Sequence, residues 1–187
     1  MRVVLLRHAR VLVDWKKRYS SSGYDDENAN YDRAPVAPLP PIDMAIRKVY
    51  VSSLPRSAAT AAFLVGEKDI ETTKLLDEVP IRSFRDSERH FPTWLWNVMA
   101  TLQWHLGSTR QRETRKETQR KIEAFLDMIE ERGEDCIVVG HGIHFYDMMK
   151  RMKARGYAGK IKKYMRNGEF REFVAEAGAR KTTGEKG

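Results

Sequence analysis

Residues 3–10, Val-Val-Leu-Leu-Arg-His-Ala-Arg, decide how the rest of the chain is read. Four apolar residues run without a polar break and end at two adjacent basic side chains, Arg7 and His8. The run is too short for a buried helix, and its lack of polar alternation fits a strand covered on both faces. Two later stretches share this build. Val-Tyr-Val-Ser-Ser at 49–53 is followed closely by Arg56, and Cys-Ile-Val-Val-Gly at 136–140 leads directly into His141 and Gly142. All three read as buried parallel strands.

Helical patterns fill the spaces between them. Ser57–Val65 is Ala-rich and predicts a helix. Residues 114–132 place Ile122, Phe125, Leu126 and Ile129 at helical spacing, with Gly133 as the stop. A further helix follows His141, with Phe145, Met148, Met149 and Met152 on one side as core filler. Strands alternating with helices predict an α/β layered fold. Residues 19–43 are polar and then Pro-rich, and read as a long loop with no regular element. Residues 91–107 carry three of the four tryptophans and read either as a core helix or as a cap over a site. We take residues 1–176 as one domain, with 79–115 as a candidate helical cap insertion and 177–187 as a flexible tail.

Apolar residues make up 41% and charged residues 32% of the 187, which defines a soluble globular class. No apolar run reaches the ~20 residues of a membrane span, so no membrane partner is expected. Val3–Leu6 is too short for a signal-peptide core, and a cytoplasmic location is expected. Cys136 is the single cysteine, which excludes an internal disulfide and suits a reducing compartment. Its apolar flanks make it a buried structural thiol.

The net charge is +8 and the pI about 9.6. Such an excess serves either nucleic acid or a small anionic substrate. Residues 110–121 intersperse Glu113 and Glu117 among the cations, as a solvated helix face does. Residues 150–166 are less balanced, but no nucleic-acid motif accompanies them, which argues against that partner. Nothing in the pattern reports on oligomeric state.

In parallel α/β sheets ligands bind at the carboxyl ends of the strands. Arg7, His8, Arg56 and His141 therefore converge there, and guanidinium groups match phosphate oxygens in a two-pronged way. A metal is the rival use for the histidines, His141 and His144 being three apart. Arg7 and Arg56 would repel a cation, so neither metal nor other cofactor is expected. A neutral His8 imidazole can attack phosphorus. The neighbouring Arg charges lower its pKa, and Arg7, Arg56 and His141 hold the phosphoryl oxygens. The leaving oxygen needs an acid near the rim, and Glu78, Asp77 and Glu88 are the candidates, Glu78 first. Arg10 and Gly142 join Arg7, Arg56 and His141 as candidate substrate contacts. Arg82, Arg85, the 19–43 loop and the Trp-bearing segment are candidate selectors.

These residues resemble the histidine phosphatase, or phosphoglycerate-mutase-like, superfamily. Leu5–Arg10 resembles its Arg-His-Gly signature. Ser52 or Ser53, Arg56, Thr60 and Ala61 match its Ser…Arg…Thr-Ala segment. Leu75–Pro80 resembles its glutamate region, and Ile137–Gly142 its late strand ending in His-Gly. Asn167 with the following Gly-Glu-Phe-Arg-Glu-Phe-Val resembles its closing Asn and edge strand. The resemblance implies a three-layer α/β/α sandwich with a mainly parallel sheet. It implies His8 as the phosphorylated residue, Arg7, Arg56 and His141 as the phosphate pocket, Glu78 as proton donor, and no metal.

The chain departs from the pattern in three ways. Ala9 replaces the Gly after the nucleophile, where Gly would permit positive φ. Arg10 replaces the polar residues that follow. Ile42–Arg47 offers only a short candidate helix where members of the family have a longer one. Three functions remain in view. The first is a metal-independent phosphatase acting on a phosphorylated small molecule or a phosphoprotein. The second is a phosphoglycerate-mutase-type phosphotransferase. The third is a non-catalytic phosphate-binding module. The modest span from Glu78 to His141 favours hydrolysis, the intact site set argues against a binding module, and Ala9 is the one feature in the module's favour.

Overall fold

The three apolar runs lie side by side. The computed structural model describes residues 1–175 of the chain, so the expected tail at 177–187, and the last residue of the expected domain, fall outside the described residues. In chain order the first elements are β1 (Arg2–Arg7), β2 (Arg18–Tyr19), α1 (Ser21–Arg33), β3 (Lys48–Ser52), α2 (Pro55–Ala61) and β4 (Asp69–Thr73). After a single helical turn at Lys74–Leu76 come β5 (Phe91–Pro92), α3 (Thr93–His105), α4 (Arg115–Arg132) and β6 (Cys136–Gly140). The last are α5 (Gly142–Ala154), β7 (Tyr157–Gly159) and β8 (Phe170–Ala175). The central sheet runs β4-β3-β6-β1-β8-β7. Its first four strands are parallel, and β8 and β7 run antiparallel to their neighbours.

Register places the site. Arg7 of β1 faces Gly140 of β6, and Val51 of β3 faces Val139. The residues that follow, His8, Ser52 and His141, therefore leave adjacent strand ends at one level. Alternate side chains of the sheet feed two cores. Val3, Leu5, Tyr50, Cys136 and Val138 pack against Ile122, Phe125 and Met149 from α4 and α5. Val4, Leu6, Val49, Ile137 and Val139 pack against Ala61, Leu64 and Ile46 on the other face. This is the expected α/β/α layering. Truncating a core Leu to Ala costs about 2–5 kcal/mol in such packing. Tyr19, Tyr24 and Trp96 form a third, aromatic cluster that joins α1 to α3.

Helix α4 has the expected bounds for identifiable reasons. Thr114 caps it and Glu117 returns the bond, a reciprocal box that satisfies two free N–H groups. Gly133 ends it at φ 68°, a left-handed conformation costly for any residue with a Cβ.

Three expectations are corrected. Residues 19–43 are not a featureless loop, because α1 occupies Ser21–Arg33. The Ser20 side chain accepts from the Gly23 N–H at its start, and its one large buried anchor is Tyr24. Residues 42–47 are not a helix. Ile42 bridges to Leu64, with the Ile42 N–H donating to Phe63 and the Val65 N–H donating to Ile42. Lys68 Nζ donates to the carbonyls of Met44 and Ile46 and holds the segment in this bridged path. The Ala-rich helix ends at Ala61 rather than Val65, since Leu64 and Val65 are drawn into that same bridge. Among the described residues, no helix is long and apolar enough to cross a membrane.

Candidate active site

At the end of β1 the His8 N–H donates to the Gly140 carbonyl at 2.9 Å, which locks the two strand ends together. Asn167 Nδ2 donates to the His8 carbonyl at 2.9 Å, and the Gly168 N–H to that of Arg7 at 3.0 Å. The strand end is thus strapped from both sides. Ala9 is buried, and its N–H donates to Thr60 Oγ1 at 2.9 Å. No non-glycine residue in the described chain has a positive φ, so the position after His8 does not require glycine.

His8 is only 2% exposed. Its Nδ1 lies 2.8 Å from the Ala9 carbonyl oxygen. A carbonyl can only accept, so Nδ1 carries the proton and Nε2 holds a free lone pair. Burial, reinforced by the charges of Arg56 and Arg7, lowers the His8 pKa to about 3, against the opposing effect of the Ala9 carbonyl. The ring is therefore neutral at physiological pH. The His141 ring lies 5.1 Å away, centroid to centroid, at 54°.

The roles of the His141 nitrogens follow from their partners. Arg56 Nε donates to Nδ1 at 3.3 Å, which makes Nδ1 the acceptor. Nε2 then donates to Ser52 Oγ at 2.8 Å, and Ser52 in turn donates to Asp77 Oδ1 at 2.8 Å. Asp77 also accepts from the backbone N–H and hydroxyl of Ser53. That carboxylate is fully engaged in tethering the end of β3. Burial, then Arg56 and His8, push the His141 pKa well below its ordinary value.

Arg56 sits on the first turn of α2, directly after Pro55, which is preorganised for a helix start. It is buried, stacks over Tyr31 with its carbon centre 5.1 Å from the ring, and donates from Nη1 to Asp32 Oδ1 at 2.5 Å. Tyr31 also meets the His8 ring edge-on at 6.5 Å. Arg7 donates to the Met165 carbonyl and stacks over Tyr164 at 5.3 Å, while its buried Nε lacks a hydrogen-bond partner. A Cβ on Gly142 would lie 3.2 Å from that guanidinium, so glycine there keeps room for Arg7. Glu78 is partly buried and lines the cavities on both sides of the site. Burial raises its pKa, against the pull of Arg56, the Val79 N–H, Arg7 and the His144 N–H.

The fold thus brings Arg7, His8, Arg56, Glu78, His141 and Gly142 together. It does not bring in Arg10, which is exposed and lines neither of the two cavities flanking the site. Glu88 and Arg85 are exposed and line neither of them, whereas Arg82 lines the cavity that also holds Asp32. Tyr31 and Asp32 are site neighbours that the sequence did not reveal. Their only trace was the seven-residue spacing from Tyr24 to Tyr31, two helical turns, inside a stretch that reads as polar loop.

This α/β sheet sets two neutral imidazoles 5.1 Å apart beside the buried Arg56 and the half-buried Arg7, a donor set suited to an oxyanion. The sequence profile of the histidine phosphatase superfamily (branch 1) matches residues 42–173, and the chain belongs to that superfamily. The match begins after β1, so Arg7 and His8 lie outside it. Comparison with curated protein sequences gives no significant match. Solved structures share the fold. The α-ribazole phosphatase from Shigella flexneri is 16% identical, with a TM-score of 0.57 over 92% of this chain and 89% of that one. A phosphoglycerate mutase from Bacillus anthracis is 14% identical, with a TM-score of 0.57 over 95% and 92%. A phosphoserine phosphatase mutant from Entamoeba histolytica, solved with phosphoserine, is 14% identical, with a TM-score of 0.56 over 92% and 90%.

Proposed function

We propose that this protein is a metal-independent phosphatase that hydrolyses a small phosphomonoester through a phosphohistidine on His8. The observation that carries the reading is the His8 ring itself: buried, neutral, with Nδ1–H held by the Ala9 carbonyl and Nε2 free beside Arg56 and His141. The Nε2 lone pair forms a bond to phosphorus as the bond from phosphorus to the substrate oxygen breaks. Arg7 and Arg56 spread the charge of the transferring group. The bound dianion offsets the cations that disfavour a charged His141. His141 can then take a proton on Nδ1 and donate to a phosphoryl oxygen in place of accepting from Arg56. Glu78, whose pKa burial raises, gives its proton to the leaving oxygen. The resulting carboxylate accepts a proton from the water that attacks the phosphohistidine, which releases phosphate and restores both groups.

Residues 79–115 are proposed as the cap over this site, held to α1 where Trp96 stacks on Tyr24. A cytoplasmic setting suits the lone, buried Cys136. The test is turnover of p-nitrophenyl phosphate with chelator present. Activity is expected in the wild type and its loss in His8→Ala. Dependence on a divalent ion, or turnover that survives in His8→Ala, would overturn the mechanism. Interconversion of phosphoglycerates much faster than hydrolysis would replace the phosphatase reading with a mutase.

A further inference from the structure

We infer that the alcohol released from the substrate carries a second anionic group, held in the cavity that opens beside Arg7 and Glu78. This rests on the phosphatase reading above and specifies its substrate class. The inner wall of the cavity is Arg7, Glu78 and Gly142, so it begins where the proton donor would meet the departing oxygen. Its volume of about 450 Å³ suits a small molecule. The cavity on the other side of Glu78 is smaller, about 210 Å³, and is lined by Asp25 and Asp32 as well as by cations. Those carboxylates disfavour a second anion there.

The outer wall of the larger cavity sets three cations, Arg115, Lys150 and Lys163, against one carboxylate, Asp147. Asp147 is nearly buried and is shared between Arg115 at 3.6 Å and Lys150 at 3.5 Å. One negative charge thus serves two positive ones. Lys163 is exposed and has no ion pair among the described residues. Arg115 Nε faces Asp147 Oδ2 at 3.6 Å, beyond hydrogen-bond distance, so the pair is loose. Two neighbouring basic residues each sit against a carboxylate. Arg155 pairs with Asp127 at 2.9 Å and Glu130 at 2.8 Å, and Lys162 with Glu169 at 2.7 Å. The outer wall of the cavity thus carries two more positive than negative side chains. The rest of the lining is largely apolar, with Trp104, Ile143, Tyr146 and Tyr164. A ring or short hydrocarbon linking a phosphoester to a carboxylate or second phosphate fits that surface.

The experiment compares two aryl phosphates whose phenols have similar acidity, para-(carboxymethyl)phenyl phosphate and its neutral para-(carbamoylmethyl) counterpart. The carboxylate is expected to be favoured about tenfold in kcat/KM at low ionic strength, the size of one partly screened charge pairing. That ratio is expected to fall towards unity in the Lys150→Met/Lys163→Met double variant. Methionine keeps most of each aliphatic stem, and melting curves confirm that the variant is folded. Equal rates in the wild type, or a preference that survives the double substitution, would overturn the second-anion site while leaving the phosphatase intact. Hydrolysis of neither ester, or of both by His8→Ala, would overturn the phosphatase reading itself.

Discussion

Asp32 sets a half-exposed anion against Arg56 in the proposed phosphate pocket, and neutralising it should tighten phosphate binding. Its Oδ1 accepts from Arg56 Nη1 at 2.5 Å, although the Arg56 side chain is 3% exposed and that of Asp32 50%. A phosphoryl oxygen that approaches Arg56 meets a guanidinium already engaged. Half-exposure leaves the pair well screened, so we assign it about 1 kcal/mol, the upper end for surface pairs. Asp32→Asn keeps an oxygen that can accept from Arg56 but removes the charge. Phosphate then displaces a weaker competitor, and its inhibition constant should fall about fivefold, the equivalent of 1 kcal/mol. KM for p-nitrophenyl phosphate should fall in the same proportion. The gain should shrink with added salt, since one partner faces solvent. Competitive inhibition by inorganic phosphate, measured at two ionic strengths, is the assay. A weaker phosphate affinity in the variant would mean that Asp32 orients Arg56 and does not compete for it. A large loss of kcat with the inhibition constant unchanged would make Asp32 a proton carrier.

Other outcomes follow from the same geometry. Gly142→Ala should raise KM several-fold, because the added methyl would sit 3.2 Å from the Arg7 guanidinium and displace it; steady-state kinetics with p-nitrophenyl phosphate decide this. Glu78→Gln should slow esters with poor leaving groups far more than p-nitrophenyl phosphate, and equal slowing of an alkyl phosphate and the nitrophenyl ester would move the acid elsewhere. Acid should destabilise the fold. His8 and His144 titrate near 3 when folded and near 6.5 when unfolded. Their stabilisation is therefore complete above pH 6.5 and is lost as pH falls towards 3, about 3 kcal/mol for each on reaching pH 4. Denaturant melts of wild type and His144→Phe at pH 7 and pH 4 test this, the variant losing less. Trp96→Ala should cost about 3–5 kcal/mol, because the buried indole stacks on Tyr24 at 5.5 Å and donates to the Tyr19 carbonyl.

The three central parallel strands were readable because their signal is local, whereas the polar β4 and the short β7 were not. Val3–Leu6, Val49–Val51 and Ile137–Val139 are buried on both faces, so each declares itself as an unbroken apolar run. The site residues at their ends were readable for the same reason, since a parallel sheet gathers whatever follows each strand. What failed depended on tertiary partners. Helix α1 buries little beyond Ser21 and Tyr24, so no apolar stripe marks it, and Tyr31 and Asp32 reach the site only because that helix docks there. Arg10 sits two residues from His8, yet the chain bends at Val11 to bridge Val36 and leaves it outward. Asp77 and Glu78 are neighbours of the same chemistry. Only the bonds from Ser52 and Ser53 show that Asp77 is a tether and leave Glu78 to face the cavities.

Burial acts on His8 and Glu78 in opposite directions, and that opposition suits the proposed chemistry. Removing water disfavours charge on either group, which lowers the His8 pKa and raises that of Glu78. A neutral nucleophile and a neutral acid can therefore coexist at one pH, which exposed side chains with ordinary pKa values would not allow. The cations divide the two groups. Arg56 and Arg7 reinforce the effect on His8 and oppose it on Glu78. A bound phosphoryl dianion cancels much of that positive field. Glu78 should hold its proton more tightly once substrate is present, and release it only as charge builds on the leaving oxygen. In kinetics, the basic limb that reports Glu78 should lie at higher pH in kcat than in kcat/KM, and both should disappear in Glu78→Gln. Coincident limbs in the two profiles would mean that the arginines do not couple phosphate to the acid, and the division of labour proposed for this pocket would have to be redrawn.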